Sequence, residues 1–257
     1  MPSSDTRKKL RLFRVALGIA IVLSGACTAA HRREPYVREL SAAGGLTVWV
    51  VDGAYVRNNI DIEFTNFGQH FVFKFIPLNE LWLDVEAQPD ERKFFVDHLV
   101  AERALMQRGV PYDSAVDAAD RIEIVERKAA GDLAKVVGPA GPRDPSKTHI
   151  TLLETTPSRV SEWLVDGRLV RSAFDIEFTE GGHDYVYDYV PKNEVWIDND
   201  LTSAERPFVI LHELHERNLM AKGWTYEAAH ADADKSELYA RHHPGEIQEA
   251  ITHEARQ

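Results

Sequence analysis

A chain of 257 residues with 44% hydrophobic and 28% charged side chains has a globular composition, long enough for one large core or two small ones, which excludes collagen-like, disordered and multi-pass membrane classes. With 41 acidic against 30 basic residues the formal charge is −11, a field that repels nucleic acid, so nucleic-acid binding is set aside. One cysteine, Cys27, excludes an intramolecular disulfide and a thiolate-rich zinc site.

The amino terminus carries Arg7, Lys8, Lys9, Arg11 and Arg14 against one acid, Asp5, and an uncharged, mostly apolar run follows over residues 15–26. A basic segment, a short apolar segment and small residues before a cleavage point form an export signal, and the run is too short to span a bilayer comfortably. Leu23-Ser24-Gly25-Ala26-Cys27 resembles the lipobox of bacterial lipoproteins, departing from it in having Ser24 three places before the cysteine and Leu23 one place further out. The resemblance implies a signal peptide over residues 1–27, lipidation of Cys27 and a place in the bacterial cell envelope. Thr28 is not the aspartate that retains such proteins in the inner membrane, so in a Gram-negative cell the expected site is the outer membrane, facing the periplasm. Loss of residues 1–26 removes five basic residues and one acid, leaving 25 basic against 40 acidic and a net of −15. Residues 28–45 read as a tether.

Beyond the tether the chain repeats itself. At an offset of 114, residues 49–123 align with 163–237 without a gap, and 32 of the 75 positions are identical. Val51-Asp52-Gly53 matches Val165-Asp166-Gly167, Asp61-Ile62-Glu63-Phe64-Thr65 matches Asp175-Ile176-Glu177-Phe178-Thr179, and Trp82 matches Trp196. These boundaries give repeat 1 over 46–130, a linker over 131–159 centred on the turn-rich run 138–146, repeat 2 over 160–243 and a tail over 244–257. Within repeat 2, residues 165–171 read as a strand turning at Asp166-Gly167, and 174–178 with 185–189 read as a hairpin around Gly181-Gly182-His183. Residues 194–198 read as a further short strand. A helix is expected from about 204 to 222, stopping at Gly223, and a second from about 226 to 241. The fold class is α+β: two tandem repeats, each a small antiparallel sheet followed by a helical hairpin.

The chemistry concentrates in the helical hairpin of repeat 2. His212 and Glu216 stand one turn apart on a face shared with Phe208 and Leu219, and a carboxylate on an apolar stripe needs a metal, a cation or a hydrogen-bonding partner. His230, Asp234 and Glu237 share a face of the next helix at spacings of four and three, beside Tyr226. Facing each other, the two stripes offer His212, Glu216 and His230 as a nitrogen and oxygen set for zinc or another divalent ion. Glu213 is placed as general base on a water at the open position, and Asp234 or Glu237 as second-layer partner or additional ligand.

His212-Glu213-Leu214-His215-Glu216 resembles the HExxH helix of zincin metallopeptidases. The resemblance implies that His212 ligates zinc, that Glu213 activates water and that the substrate is a peptide. Where the family has its second histidine this chain has Glu216, which must serve as an oxygen ligand, while His215 falls one residue short; His230 is the candidate third ligand. The likeness covers about 26 residues.

Repeat 1 keeps His98, Glu102, Asp120 and Glu123 at the matching positions but has Leu99 for Glu213 and Val116 for His230, the pattern of a degenerate copy. The rival reading, a non-catalytic envelope binding or scaffolding module, takes the shared His/carboxylate set as a structural network, with an envelope protein as partner. A metal-binding protein without turnover is a further alternative. Among weaker features, His183 could approach a substrate near the sheet edge, Arg57 and Arg171 are expected in salt bridges, Trp82 and Trp196 in the core, and His242, His243 and His253 in a solvated tail.

Overall fold

The computed structural model describes residues 35–137 and 141–257. The signal segment of residues 1–27, with Cys27, lies outside the described residues. Among the described residues no helix is long and apolar enough to cross a membrane.

The amino-terminal copy runs β1 (Tyr36–Ala43), β2 (Leu46–Val51), α1 (Gly53–Asn59), β3 (Phe67–Gln69), β4 (Glu80–Asp84), α2 (Arg92–Gln107), α3 (Tyr112–Ala130) and the short α4 (Leu133–Val136). After a 3₁₀ turn at Pro145–Thr148 the carboxy-terminal copy repeats the order: β5 (His149–Thr155), β6 (Ser161–Val165), α5 (Gly167–Ala173), β7 (Gly181–His183), β8 (Glu194–Asp198), α6 (Arg206–Ala221) and α7 (Tyr226–His242), with α8 (Ile247–Glu254) at the end. The α+β class and the duplicated plan of sheet then helical hairpin are both present.

Inside each sheet the expectation is amended. The strand orders are β1-β2-β4-β3 and β5-β6-β8-β7, and the central pairs β2·β4 and β6·β8 are parallel, flanked by antiparallel neighbours. A parallel pair needs a crossover, and the crossover is the segment expected to be strand and hairpin. Asp166, read as a turn residue, is instead an N-cap: its side chain accepts the N–H of Leu169 at 3.0 Å, as Asp52 accepts that of Tyr55 at 2.9 Å, and a helix starts where the sequence suggested a bend. The glycine after it is required by packing, since a Cβ at Gly167 would stand 2.1 Å from the Asp198 carboxylate and one at Gly53 1.7 Å from Asp84. The expected hairpin shrinks to the three residues of β7, because Asp175 turns the chain by accepting the N–H of Glu177 at 3.1 Å.

Three outlying segments also differ from expectation. The stretch read as tether contains the whole of β1, the linker contains β5, and the tail contains α8, whose Ile251 packs into the core against α6. The paired helices agree with the expected spans to within two residues, and α6 packs on α7 within one copy. Pro207 lies in the first turn of α6, where its missing N–H costs no intrahelical bond. Trp82 and Trp196 are core residues, each with its indole N–H donated to a glutamate of its own strand, Glu80 at 2.7 Å and Glu194 at 2.8 Å.

The copies are joined through two buried arginines, 1% and 3% exposed. Arg57 of the first copy contacts Asp84 at 2.7 Å and Glu86 at 2.8 Å in its own module, and Glu180 at 2.8 Å and Glu205 at 3.0 Å in the other. Arg171 of the second copy contacts Asp198 and Asp200 at home and reaches across to Glu91, the counterpart of Glu205. The expected salt bridges are there, and each spans the two repeats.

Removing one partner of a buried ion network leaves the others uncompensated, at a cost of about 3–5 kcal/mol. Arg171→Met, which keeps the bulk and deletes the charge over Glu91, Asp198 and Asp200, is therefore expected to lower unfolding free energy by about that amount. Urea denaturation measures it, and a change in the range of an ordinary surface substitution would contradict the role assigned to Arg171.

Candidate metal site

Helix α6 presents His212, Glu213 and Glu216, α7 presents His230, Asp234 and Glu237, and β7 brings His183 beneath Glu216. The three residues singled out as ligands do converge. His212 Nε2 is 3.1 Å from His230 Nδ1 and 3.7 Å from Glu216 Oε2, which is 2.7 Å from His230 Nδ1. Ligand atoms around a tetrahedral zinc with bonds of about 2.0–2.1 Å stand about 3.3 Å apart. Among the described residues two groups of side chains could hold a metal ion: His212 with His230 and Asp234, and His183 with Glu213 and Glu216.

Hydrogen bonding separates the roles within these groups. His183 Nδ1 receives the backbone N–H of Tyr185 at 3.2 Å, so the ring proton sits on Nε2, which donates to Glu216 Oε1 at 2.8 Å. With one nitrogen an acceptor and the other a donor, His183 orients Glu216 and has no lone pair left for a metal. It is 0% exposed, so the expected approach to a substrate at the sheet edge does not occur. Glu216 turns Oε2 toward the two histidines, 2.7 Å from His230 Nδ1. His212 faces Glu237 through Nδ1 at 2.9 Å, leaving Nε2 inward, and Glu237 is itself held by Arg241 at 2.8 Å. This carboxylate behind the outer nitrogen of an imidazole is the usual support of a metal-binding histidine. Asp234 Oδ1 stands 3.7 Å from His212 Nδ1 and 3.8 Å from His230 Nε2, behind both rings, and the His230 ring stacks on Tyr226.

The protonation state follows from these contacts. Burial alone would raise Glu216, but hydrogen bonds from His183, His212 and His230 hold its carboxyl well below the usual range. Burial would lower both histidines, yet bonds to Glu216 and Glu237 push His212 well up, and bonds to Glu216 and Glu63 push His230 to about 10. Burial raises Glu213 to about 7, with the neighbouring Glu216 charge adding to it, and burial raises Asp234 to about 7. In the metal-free protein the cluster therefore carries protons that a cation must displace.

A cavity of about 110 Å³ opens onto His212, His230 and Glu213, and a second of about 80 Å³ lies beside Glu213 and Glu216. Glu213 borders both. Its place depends on Gly181, where a Cβ would stand 2.8 Å from Glu213 Oε1 and 2.9 Å from Val209. Copy one has Phe67 at that position, facing Leu99 rather than a glutamate, so Gly181 and Glu213 differ from copy one as a pair.

The remaining wall was not anticipated. Glu63 and Thr65 come from the amino-terminal copy, opposite Glu177, Thr179 and Glu180 of the other, so the two Asp-Ile-Glu-Phe-Thr segments line one cavity. Their repetition was visible in the sequence; their meeting was not. Glu180 takes a left-handed backbone, φ 57°, and burial raises its carboxyl to about 8 despite Arg57. His215, turned away as its spacing required, binds Glu254 and Asp232 at 3.0 Å each and fastens α8.

In copy one the same scaffold is closed. His98 sits among Glu123 at 3.0 Å, Glu102 at 3.5 Å and Asp120 at 3.6 Å, with Leu99 and Val116 packed where Glu213 and His230 would be. Gln69 replaces His183 and reproduces both of its bonds, accepting from the N–H of Phe71 and donating to Glu102, each at 2.7 Å. The flanking cavities are about 10 and 20 Å³. Compared with protein families, curated proteins and solved structures, the chain has no match.

The shift of His230 carries a pH signature. Its folded value of about 10 lies above the unfolded value of about 6.5, so its contribution to stability is fully present below about 6.5 and is lost as pH rises through about 10. Metal-free protein is expected to lose stability across that window, and His230→Gln to flatten the loss. Denaturation midpoints followed from neutral to alkaline pH in the presence of chelator provide the check, equal slopes in both proteins being the contrary result.

Proposed function

We propose that the carboxy-terminal copy holds a divalent ion, zinc by the chemistry of its donors, through His212 Nε2, His230 Nδ1 and Glu216 Oε2, and that the protein is a zincin-like metal-dependent hydrolase acting on peptide bonds. The supporting observation is the convergence of three donor atoms whose partner atoms on the same side chains are already engaged or faced by carboxylates: His212 Nδ1 by Glu237, Glu216 Oε1 by His183, His230 Nε2 by Glu63 and Asp234. An ion bound there supplies Lewis acidity and a lowered pKa for water. Glu213, beside the ligands and open to the cavity, takes the proton of the attacking water and delivers it to the departing amine. Its value of about 7 suits a group that must both accept and release a proton near neutral pH. Asp234 and Glu237 serve as second-layer partners. Cys27, lipidated, anchors the protein in the bacterial envelope, at the outer membrane facing the periplasm, where the substrate or an envelope protein partner is met.

The rival reading, a non-catalytic scaffolding module, is favoured by one observation: copy one holds a similar His/carboxylate network beside a cavity of only about 10 Å³. Metal content decides between them. Purified protein is expected to carry one equivalent of transition metal and His212→Ala much less; metal-free protein under replete conditions would remove the hydrolase reading. Glu213→Gln should keep the metal and lower turnover of a cleaved peptide by about 10²–10⁴, and undiminished turnover would sink Glu213 as base.

Cys27→Ser should release the protein from membranes on fractionation. Continued membrane association of that variant would instead indicate an uncleaved anchor.

A further inference from the structure

Copy one, whose own cavities are only about 10 and 20 Å³, reaches the site in copy two by two separate routes. The first is the ladder from Arg57 to Glu205 at 3.0 Å, on to Arg241 at 2.9 Å, to Glu237 at 2.8 Å and to His212 Nδ1 at 2.9 Å. Its last members belong to copy two, so this route supports His212 at a distance. The second is direct. Glu63, fixed by the Asp61 side chain that accepts its N–H at 3.1 Å, enters the cavity wall and places Oε1 3.7 Å from His230 Nε2.

A metal at His230 Nδ1 leaves the single proton of a neutral ring on Nε2, and that N–H needs an acceptor to hold the plane of the ring. Two carboxylates face it. Asp234 lies one turn along the same helix and is divided between His212 and His230 at 3.7 and 3.8 Å. Glu63 Oε1 lies 3.7 Å from His230 Nε2 and shares the cavity wall with Asp234. The equivalent residue of copy two, Glu177, lines the small cavity of copy one, where Val116 stands in place of His230.

We propose that Glu63 of the amino-terminal copy is a positioning residue for the metal site of the carboxy-terminal copy, standing 3.7 Å from His230 Nε2 and closing on it to accept its proton once an ion holds Nδ1, the part that Glu237 plays for His212 Nδ1 at 2.9 Å. The degenerate copy is thereby a working part of the centre, and the unit of function is the pair of repeats. The proposal rests on the metal-site reading, and the test separates the two.

Zn²⁺ affinity of the full mature chain is measured by competition with a chromophoric chelator in wild type, Glu63→Ala, Glu63→Gln, His230→Ala and the Glu63→Ala/His230→Ala double variant, with circular dichroism of the metal-free proteins to establish folding. Glu63→Ala is expected to weaken Zn²⁺ binding about 10-fold or more, the usual size for loss of such a partner. Glu63→Gln should recover most of it, because its carbonyl oxygen still accepts from Nε2. In the His230→Ala background Glu63→Ala should have no further effect, since its role runs through that ring. Unchanged affinity in Glu63→Ala, an equal loss with and without His230, or no recovery in Glu63→Gln would each overturn the proposal while leaving the metal site standing. Absence of Zn²⁺ binding in the wild type would overturn both.

Discussion

The structure depends on a reciprocal exchange of buried charge. Each repeat keeps one buried arginine on its short crossover helix, gives it a home carboxylate at the end of a strand, and lends it to a glutamate at the start of the other repeat's helical hairpin. From that glutamate the charges continue inward: Glu91 to Arg127, Glu123 and His98 in one half, Glu205 to Arg241, Glu237 and His212 in the other. Ion pairs so deeply buried add little net stability over apolar packing, because desolvation offsets most of their attraction. They do penalise every arrangement that leaves a charge unpaired. The apolar clusters of each module hold its sheet against its helices, and the arginine ladders fix how the modules meet and where the imidazoles stand.

Against this common frame the two halves show what it takes to open a site. Copy one fills the space with Leu99 and Val116, and Gln69 supplies a neutral amide where an imidazole is not needed. Copy two has Glu213 and His230 instead, and the room for Glu213 comes from the glycine across from it. The helical hairpin, its first histidine and the carboxylates at the positions of Glu216, Asp234 and Glu237 are common to both copies. The difference between a sealed network and one that borders a cavity is a handful of side chains on a fixed scaffold.

Much of this was legible in the sequence, for identifiable reasons. The 3.6-residue period and the stop at Gly223 define α6 and α7 closely, although α6 starts after Glu205 without a side-chain cap, and periodicity alone places His212 with Glu216 and His230 with Asp234 and Glu237. The duplication shows itself by identity, and comparison of the copies exposes Glu213 and His230 as departures. Other features were hidden because a single sequence segment serves two geometries. Asp-Gly reads equally as a turn and as a cap followed by a helix, and choosing the turn converts a crossover into a hairpin and a parallel pair into an antiparallel one. Strands such as β5, exposed along most of their length, carry no burial pattern to mark them. The role of Glu63 was invisible for a deeper reason: an internal repeat says which residues correspond, and nothing about which copy's segment meets which copy's helix. His183 illustrates the same limit on a smaller scale, since only the neighbouring backbone N–H reveals its tautomer.

The crossed arginines also bear on origin. A contact in which residue i of one unit meets residue j of its mate, and j meets i in return, is the signature of an isologous interface around a two-fold axis. This chain has the internal symmetry of a homodimer whose subunits have been fused. In a true homodimer every substitution appears twice, so a change that opens one site opens its twin as well. Joining the halves in one polypeptide lifts that obligation: a substitution that opens a cavity can be kept on one side only, while the opposite side is released to become a supporting wall.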